Sequence, residues 1–182
     1  MTPARVVLTY RDYEALPNDG RRYEIHEGEL SVTAAPGSRH QIVSARLLAR
    51  LLAHVESRGA GIVVAAPFDV ILSDTTIVEP DIVYVATDRV AQISERGFEG
   101  PPTLAVEILS PSTGQIDRQT KMQLYARHGI PWYWIVDPES RVVEVYRLAD
   151  GGYALSRRVT GDEALTAEPL TALVIPLASL WA

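Results

Sequence analysis

Along this chain the spacing of apolar residues switches between helical and alternating periods. Val43, Leu47, Leu48, Leu51, Leu52 and Val55 recur at three- and four-residue steps, with Arg46, Arg50 and His54 on other faces. That period predicts the longest helix over roughly 39–57, capped by Ser38 and ended by Gly59 to Gly61. Upstream, Thr9 followed three residues later by Asp12 has the form of a capping box. It predicts a short helix over Tyr10–Leu16, stopped by Pro17-Asn18-Asp19-Gly20. Arg22–His26 and Glu29–Thr33 read as a hairpin around Glu27-Gly28. After the long helix the pattern becomes strand-like over Ile62–Ala65, Phe68–Leu72, Asp81–Val85 and Leu104–Leu109. Helical spacing returns over about 116–128 and stops at Gly129, with Pro131 beyond it. Trp132–Val136, Arg141–Leu148 and Tyr153–Arg157 close the series as strands, and Pro169 and Pro176 break the remainder. This order predicts an α/β (α+β) fold, a mixed central β-sheet flanked by helices. No repeat or linker divides the chain, so residues 1–182 are expected to form a single domain.

Composition removes several classes of function. At 182 residues and 47% hydrophobic, the chain has enough apolar material for a core without staples. It has no cysteine, which excludes disulfides, Cys-based zinc sites and thiol nucleophiles and fits a reducing, cytoplasmic setting. Arg5 is followed by only three apolar residues before Thr9, so no signal peptide is expected. No stretch approaches the ~20 apolar residues of a membrane helix, so no membrane partner is expected either. The histidines form no H-x-x-x-H pair, and neither a phosphate-cradling glycine loop nor a Gly-x-Ser-x-Gly elbow is present. The net charge of −6 is the main bulk evidence against a nucleic-acid partner, though a catalytic protein needs only a local basic surface. An acidic metal site, however, adds to that charge until its cation arrives.

Two acids stand out because of where they sit. Leu104-Ala105-Val106-Glu107-Ile108-Leu109 is a continuous apolar run of the kind covered on both faces, and Glu107 lies inside it. A carboxylate there is costly unless paired or bound to a cation. The plainer explanation is a strand-end Glu bonded to an Arg. Asp81 stands at the mouth of another apolar strand, in Glu79-Pro80-Asp81-Ile82-Val83-Tyr84-Val85, where a turn or cap role is the plainer reading. If the strands pair, both carboxylates can converge on one hard cation. On the helix over 116–128, Asp117, Lys121 and Tyr125 share a face at i, i+4 and i+8. Lys121 is then either half of a solvated ion pair or an ammonium that orients the attacking water and stabilises charge on phosphorus.

These residues, in this order, resemble the Uma-two family, a bacterial branch of the PD-(D/E)XK restriction-endonuclease-like superfamily. The likeness is carried by Pro80-Asp81, Glu107-Ile108-Leu109, Ser110-Pro111-Ser112-Thr113, Asp117, Lys121, Tyr125 and Trp132-Tyr133-Trp134-Ile135-Val136-Asp137-Pro138. Tyr13-Glu14-Ala15-Leu16-Pro17, Arg22-Tyr23-Glu24-Ile25, Gly28-Glu29-Leu30 and His40 extend it over about residues 8–180. The resemblance implies a restriction-endonuclease-like core and a metal held by Asp81, Glu107 and the Ile108 carbonyl. That metal is expected to be Mg²⁺, with Mn²⁺ an acceptable replacement, and DNA is the expected substrate. The superfamily's usual lysine stands two residues after the acid, where this chain has Leu109, so Lys121 on the following helix inherits its role. Similar nucleases often add an acid from the N-terminal region; between Glu24 and Glu29, Glu29 is preferred. His40 and Tyr125 are further accessory candidates. Arg118, Arg127, Arg39 and Arg46 are candidates for contacts with the nucleic-acid backbone. Trp132, Tyr133 and Trp134 read as core or as the surface of a homodimer, and Asp137 as a turn residue. The reading from another class is a nuclease-like scaffold used as a binding or regulatory module.

Overall fold

The computed structural model describes residues 6–111 and 113–181; Ser112 of the Ser110-Pro111-Ser112-Thr113 run lies outside them. At the N-terminal side, the Thr9 amide and hydroxyl both donate to Asp12 at 2.8 Å and open α1 (Tyr10–Glu14), two residues shorter than expected. β1 (Arg22–His26) and β2 (Glu29–Thr33) form the hairpin in register Tyr23↔Val32, turning through Glu27 and Gly28 with positive φ. The long helix α2 spans Ser38–Arg58, with Gly37 rather than Ser38 as its N-cap, and stops at Gly59, whose φ of 58° is left-handed. Its apolar stripe buries Val43, Leu47, Leu51 and Val55.

The strands that follow are β3 (Gly61–Ala65), β4 (Val70–Ser73), β5 (Thr76–Val78), β6 (Ile82–Ala86), β7 (Ile93–Ser94), β8 (Gly97–Glu99) and β9 (Leu104–Ile108). A helical segment then runs as a π-helix over Ile116–Lys121 and continues as α3 (Met122–Arg127). β10 (Trp132–Asp137), β11 (Val142–Ala149) and β12 (Gly152–Thr160) complete the main strands, and β13 (Ala164–Leu165) pairs with β14 (Ile175–Pro176).

They assemble into two six-stranded mixed sheets, where the spacing predicted one. The central sheet has the order β12-β11-β10-β9-β6-β3, with β9 and β10 parallel and the other neighbours antiparallel. The second has the order β2-β1-β5-β4-β8-β7. Its strands β5, β7 and β8 are two or three residues long, too short for alternation to show in the sequence.

The two faces of the central sheet are covered differently. Leu104, Val106 and Ile108 pack with α2, Trp134, Val136 and the C-terminal residues Leu170, Leu177, Leu180 and Trp181. Val83, Val85, Ala105, Tyr133 and Ile135 face the other way, onto Leu124, Tyr125 and the second sheet's Val70, Val78 and Phe98. Tyr133 and Trp134 are thus both core residues, and Trp132 is partly buried against the core. The pairs Ile82↔Val106 and Val83↔Ala105 set the register of β6 against β9. One step further along it, Asp81 stands opposite Glu107, on the face that carries α3.

Candidate active site

Asp81 ends the loop that enters β6 and is almost fully buried, at 3% exposure. Its Oδ2 accepts the Ile108 amide at 2.7 Å and Nε2 of His40 at 2.9 Å. Its Oδ1 accepts both terminal nitrogens of Arg22, each at 3.0 Å. Burial alone would raise the Asp81 pKa. The His40 hydrogen bond, the charges of His40 and Arg22 and the Ile108 amide outweigh it and hold the carboxyl below its ordinary value.

Glu107 is the opposite case. Its Oε1 accepts Lys121 Nζ at 2.9 Å and the Tyr125 hydroxyl at 2.6 Å. The same ammonium lies 3.0 Å from Glu24 Oε1 and 3.8 Å from Asp117 Oδ1. Three buried carboxyl groups thus crowd one cation, and they do not all ionise readily. Glu24 stays charged: burial would raise it, but Lys121, His26 and the Glu79 amide bring it down to about 2. Glu107 carries the strain: burial, opposed by Lys121 but reinforced by Asp117, Asp81 and Glu24, pushes it up to about 8. Burial also raises Asp117 above its ordinary value despite Lys121. Lys121 itself is raised, because these carboxylates outweigh the burial that would discharge it.

The helix explains how Lys121 reaches this position. In an ideal α-helix, residues four apart drift forward around the axis. The wider turn of a π-helix lags instead. Asp117 to Lys121 spans the π segment and Lys121 to Tyr125 the α segment, so the two offsets oppose each other; Lys121 and Tyr125 meet Glu107, and Asp117 meets Lys121. A π segment in place of α-helix is the departure from expectation here.

Among the accessory candidates, His40 and Tyr125 are in the cluster through Asp81 and Glu107. Glu29 is not: it is exposed on β2, opposite His26, and the N-terminal acid at the cluster is Glu24. The preference for Glu29 fails on position rather than on strand parity: Glu29 pairs with His26 and so shares the Glu24 face, but it stands at the turn end of the edge strand β2, whereas Glu24 is on the inner strand β1. Ile108 is present through its amide, donated to Asp81. Three of the basic candidates are engaged within the chain. Arg118 pairs with Glu144 and Asp137, Arg127 with Glu27, and Arg46 with the carbonyls of Leu180 and Trp181. Arg39 is exposed at the start of α2. Asp137 accepts the amides of Glu139 and Ser140 at 3.0 and 3.1 Å, as a turn residue does. Sequence reasoning missed Arg22. Arg22 and Asp81 are 59 residues apart in the chain, so no local pattern links them.

A cavity of about 20 Å³, the size of one water or small cation, is lined by Arg22, His40, Asp81, Glu107, Asp117 and Lys121. The carboxylates around it are hard oxygen donors of the type Mg²⁺ and Mn²⁺ take. In their present pairing no three His, Asp or Glu side chains among the described residues stand close enough together to enclose an ion. The donor chemistry fits a divalent cation, and Arg22 and Lys121 stand against these carboxylates in its place.

A mixed sheet flanked by helices, with two acids opposed on neighbouring strands and a lysine on the next helix, defines a nuclease-type α+β fold. The chain superposes on the crystal structure of "a putative nuclease belonging to DUF820" from Anabaena variabilis ATCC 29413. The TM-score is 0.80 at 21% identity, covering 96% of this chain and 97% of that one. The Uma2 family, described as "Putative restriction endonuclease", matches residues 10–178, and the chain belongs to that family. It is also 26% identical over 132 residues to "Uncharacterized protein slr1290" of Synechocystis sp. (strain ATCC 27184 / PCC 6803 / Kazusa), covering 72% of this chain and 68% of that protein. No helix among the described residues is long and apolar enough to cross a membrane.

Proposed function

We propose that this chain is a Mg²⁺-dependent endonuclease of the PD-(D/E)XK type that hydrolyses phosphodiester bonds in DNA. The observation that carries the reading is the meeting of Asp81 and Glu107 on adjoining strands, with the Lys121 ammonium 2.9 Å from Glu107. Asp81 and Glu107, with the Ile108 carbonyl, would hold the ion. Bound there, the ion would acidify water and offset charge on the scissile phosphate. His40 and the Ile108 amide fix the Asp81 carboxylate in place. Tyr125 does the same for Glu107. Because its neighbours keep Lys121 protonated, its role is electrostatic: it orients the incoming water and stabilises negative charge on phosphorus, and it does not take up a proton. Water adds to phosphorus, the bond to the leaving sugar oxygen breaks, and that oxygen gains the proton. Asp81→Asn and Glu107→Gln are each expected to abolish Mg²⁺-dependent cleavage of plasmid DNA while the thermal transition persists. Full activity in either variant rejects the assignment.

One observation favours a second reading, a binding or regulatory module with the nuclease scaffold. Both acids are already satisfied inside the chain, Asp81 by Arg22 and His40 and Glu107 by Lys121 and Tyr125. Calorimetry with Mg²⁺ and Mn²⁺ separates the two: the nuclease binds metal in a manner that depends on Asp81 and Glu107, the module does not.

A further inference from the structure

Beside the acid cluster lies a second and far larger concavity. It is a cleft of about 670 Å³ lined by Tyr10, Tyr13, Tyr23, Arg21, Arg22 and Glu79, among others. Arg22 and Pro36 alone line both this cleft and the small cavity at Asp81 and Glu107. Arg22 is therefore the one charged side chain standing in the wall between the two.

Its contacts are those of a replaceable partner. Both terminal nitrogens of Arg22 converge on one oxygen, Asp81 Oδ1, whereas a preferred arginine–carboxylate pair uses two parallel bonds to two oxygens. The other oxygen, Oδ2, is taken by His40 and the Ile108 amide. A cation arriving at Asp81 thus finds Oδ2 held by groups that stay and Oδ1 held by Arg22 alone. Arg22 Nε also faces Glu79 Oε2, at a longer 3.8 Å, and Glu79 has the Tyr13 hydroxyl at 3.2 Å as another partner. The side chain is 20% exposed, so the guanidinium has a route into the cleft.

We propose that Arg22 exchanges partners during the reaction cycle: it is the counter-ion of Asp81 while no metal is bound, and it becomes a ligand of the substrate's phosphate, in the cleft, once a divalent cation takes Asp81 Oδ1. This rests on the metal-dependent nuclease reading and adds a substrate-binding role to a residue that reading does not use. A divalent ion and a guanidinium repel each other at such short range. A phosphodiester lying in the cleft offers the displaced guanidinium the fork geometry it lacks on Asp81. The volume suits a nucleotide, and the tyrosines on the wall offer stacking surfaces for bases. Glu14, Asp69 and Glu79 on the same wall are acidic and oppose a phosphate directly over them, so the strand is expected to enter on the Arg21–Arg22 side.

The test has two arms that move in opposite directions. In Arg22→Gln, calorimetry with Mn²⁺ is expected to show metal binding at least as tight as in the wild type and about tenfold tighter if Arg22 competes fully, because the competing cation is gone. The same variant is expected to bind a fluorescein-labelled DNA duplex about tenfold more weakly by fluorescence polarisation in Mn²⁺, through loss of one charged phosphate contact. Arg22→Lys keeps a positive charge at Asp81 without the fork. It is expected to leave metal affinity near the wild-type value and still weaken DNA binding, and it serves as the measurement if the Gln variant fails to fold. Weaker Mn²⁺ binding in Arg22→Gln, or unchanged DNA affinity in both folded variants, overturns the exchange and leaves Arg22 as a fixed support for Asp81. Absence of Mn²⁺ binding in the wild type instead overturns the nuclease reading itself.

Discussion

The two faces of β9 are built from the same five residues and obey different physics. Toward α2, Leu104, Val106 and Ile108 pack into the larger apolar cluster, and the gain is area removed from water, about 25 cal/mol per Å². Toward the π-helical segment, Ala105 gives way to Glu107, and a carboxyl group replaces what the alternation would make another aliphatic side chain. On that face stability is surrendered to hold charge away from solvent, as the upward displacement of Glu107 records. One face makes the strand rigid and central; the other uses that rigidity to hold an acid that would otherwise find water.

Substitutions on the two faces should therefore separate activity from stability. The largest effect is expected from Glu107→Gln and Asp81→Asn: a loss of about a thousandfold or more in Mg²⁺-dependent cleavage, followed with supercoiled DNA. On the apolar face, Leu104→Ala should cost about 3 kcal/mol in urea unfolding, with activity per folded molecule unchanged. A stability loss from Glu107→Gln as large as that from Leu104→Ala would erase the contrast.

The pH dependence sharpens it. Glu107 has a folded pKa raised from 4.5 to about 8. Below 4.5 it is protonated in both states; between 4.5 and about 8 the unfolded chain sheds the proton and the folded one retains it, so its contribution to stability falls as pH rises. Glu24 has the opposite sign: lowered from 4.5 to about 2, it stabilises the fold above 4.5 and that support is lost as pH falls toward 2. Melting temperatures of Glu107→Gln are expected to gain on the wild type as pH rises toward 8, while those of Glu24→Gln lose most above pH 4.5. A parallel offset at every pH would show that neither group titrates across the transition. Tyr125→Phe, which removes one hydrogen bond to Glu107, should cost about 1 kcal/mol in the same unfolding assay. The smallest effect belongs to Glu29→Gln on the exposed hairpin strand, within about 0.5 kcal/mol and with unchanged cleavage.

Much of the molecule was readable from local pattern. The α2 stripe, the hairpin at Glu27-Gly28, the apolar runs around Asp81 and Glu107 and the common face of Asp117, Lys121 and Tyr125 all follow from spacing and turn chemistry. What was not readable has one cause. Glu24 and Glu29 are equally polar strand residues in the sequence, and only the sheet against which the hairpin lies decides which becomes buried. The short strands β5, β7 and β8 exist because neighbours pair with them, and the π-helical turn over Ile116–Lys121 has no signal in the residue spacing.

By itself, then, the sequence determined which segments become helices and core strands and which acids would be expensive to bury, because those are properties of short windows and of side-chain chemistry. Only the tertiary structure decided that Asp81 stands across from Glu107, that Glu24 joins them, and that Arg22 sits between the acids and the cleft. Those juxtapositions depend on the pairing of strands far apart in the chain, and that pairing is chosen by packing of the whole sheet rather than by any residue's own preference.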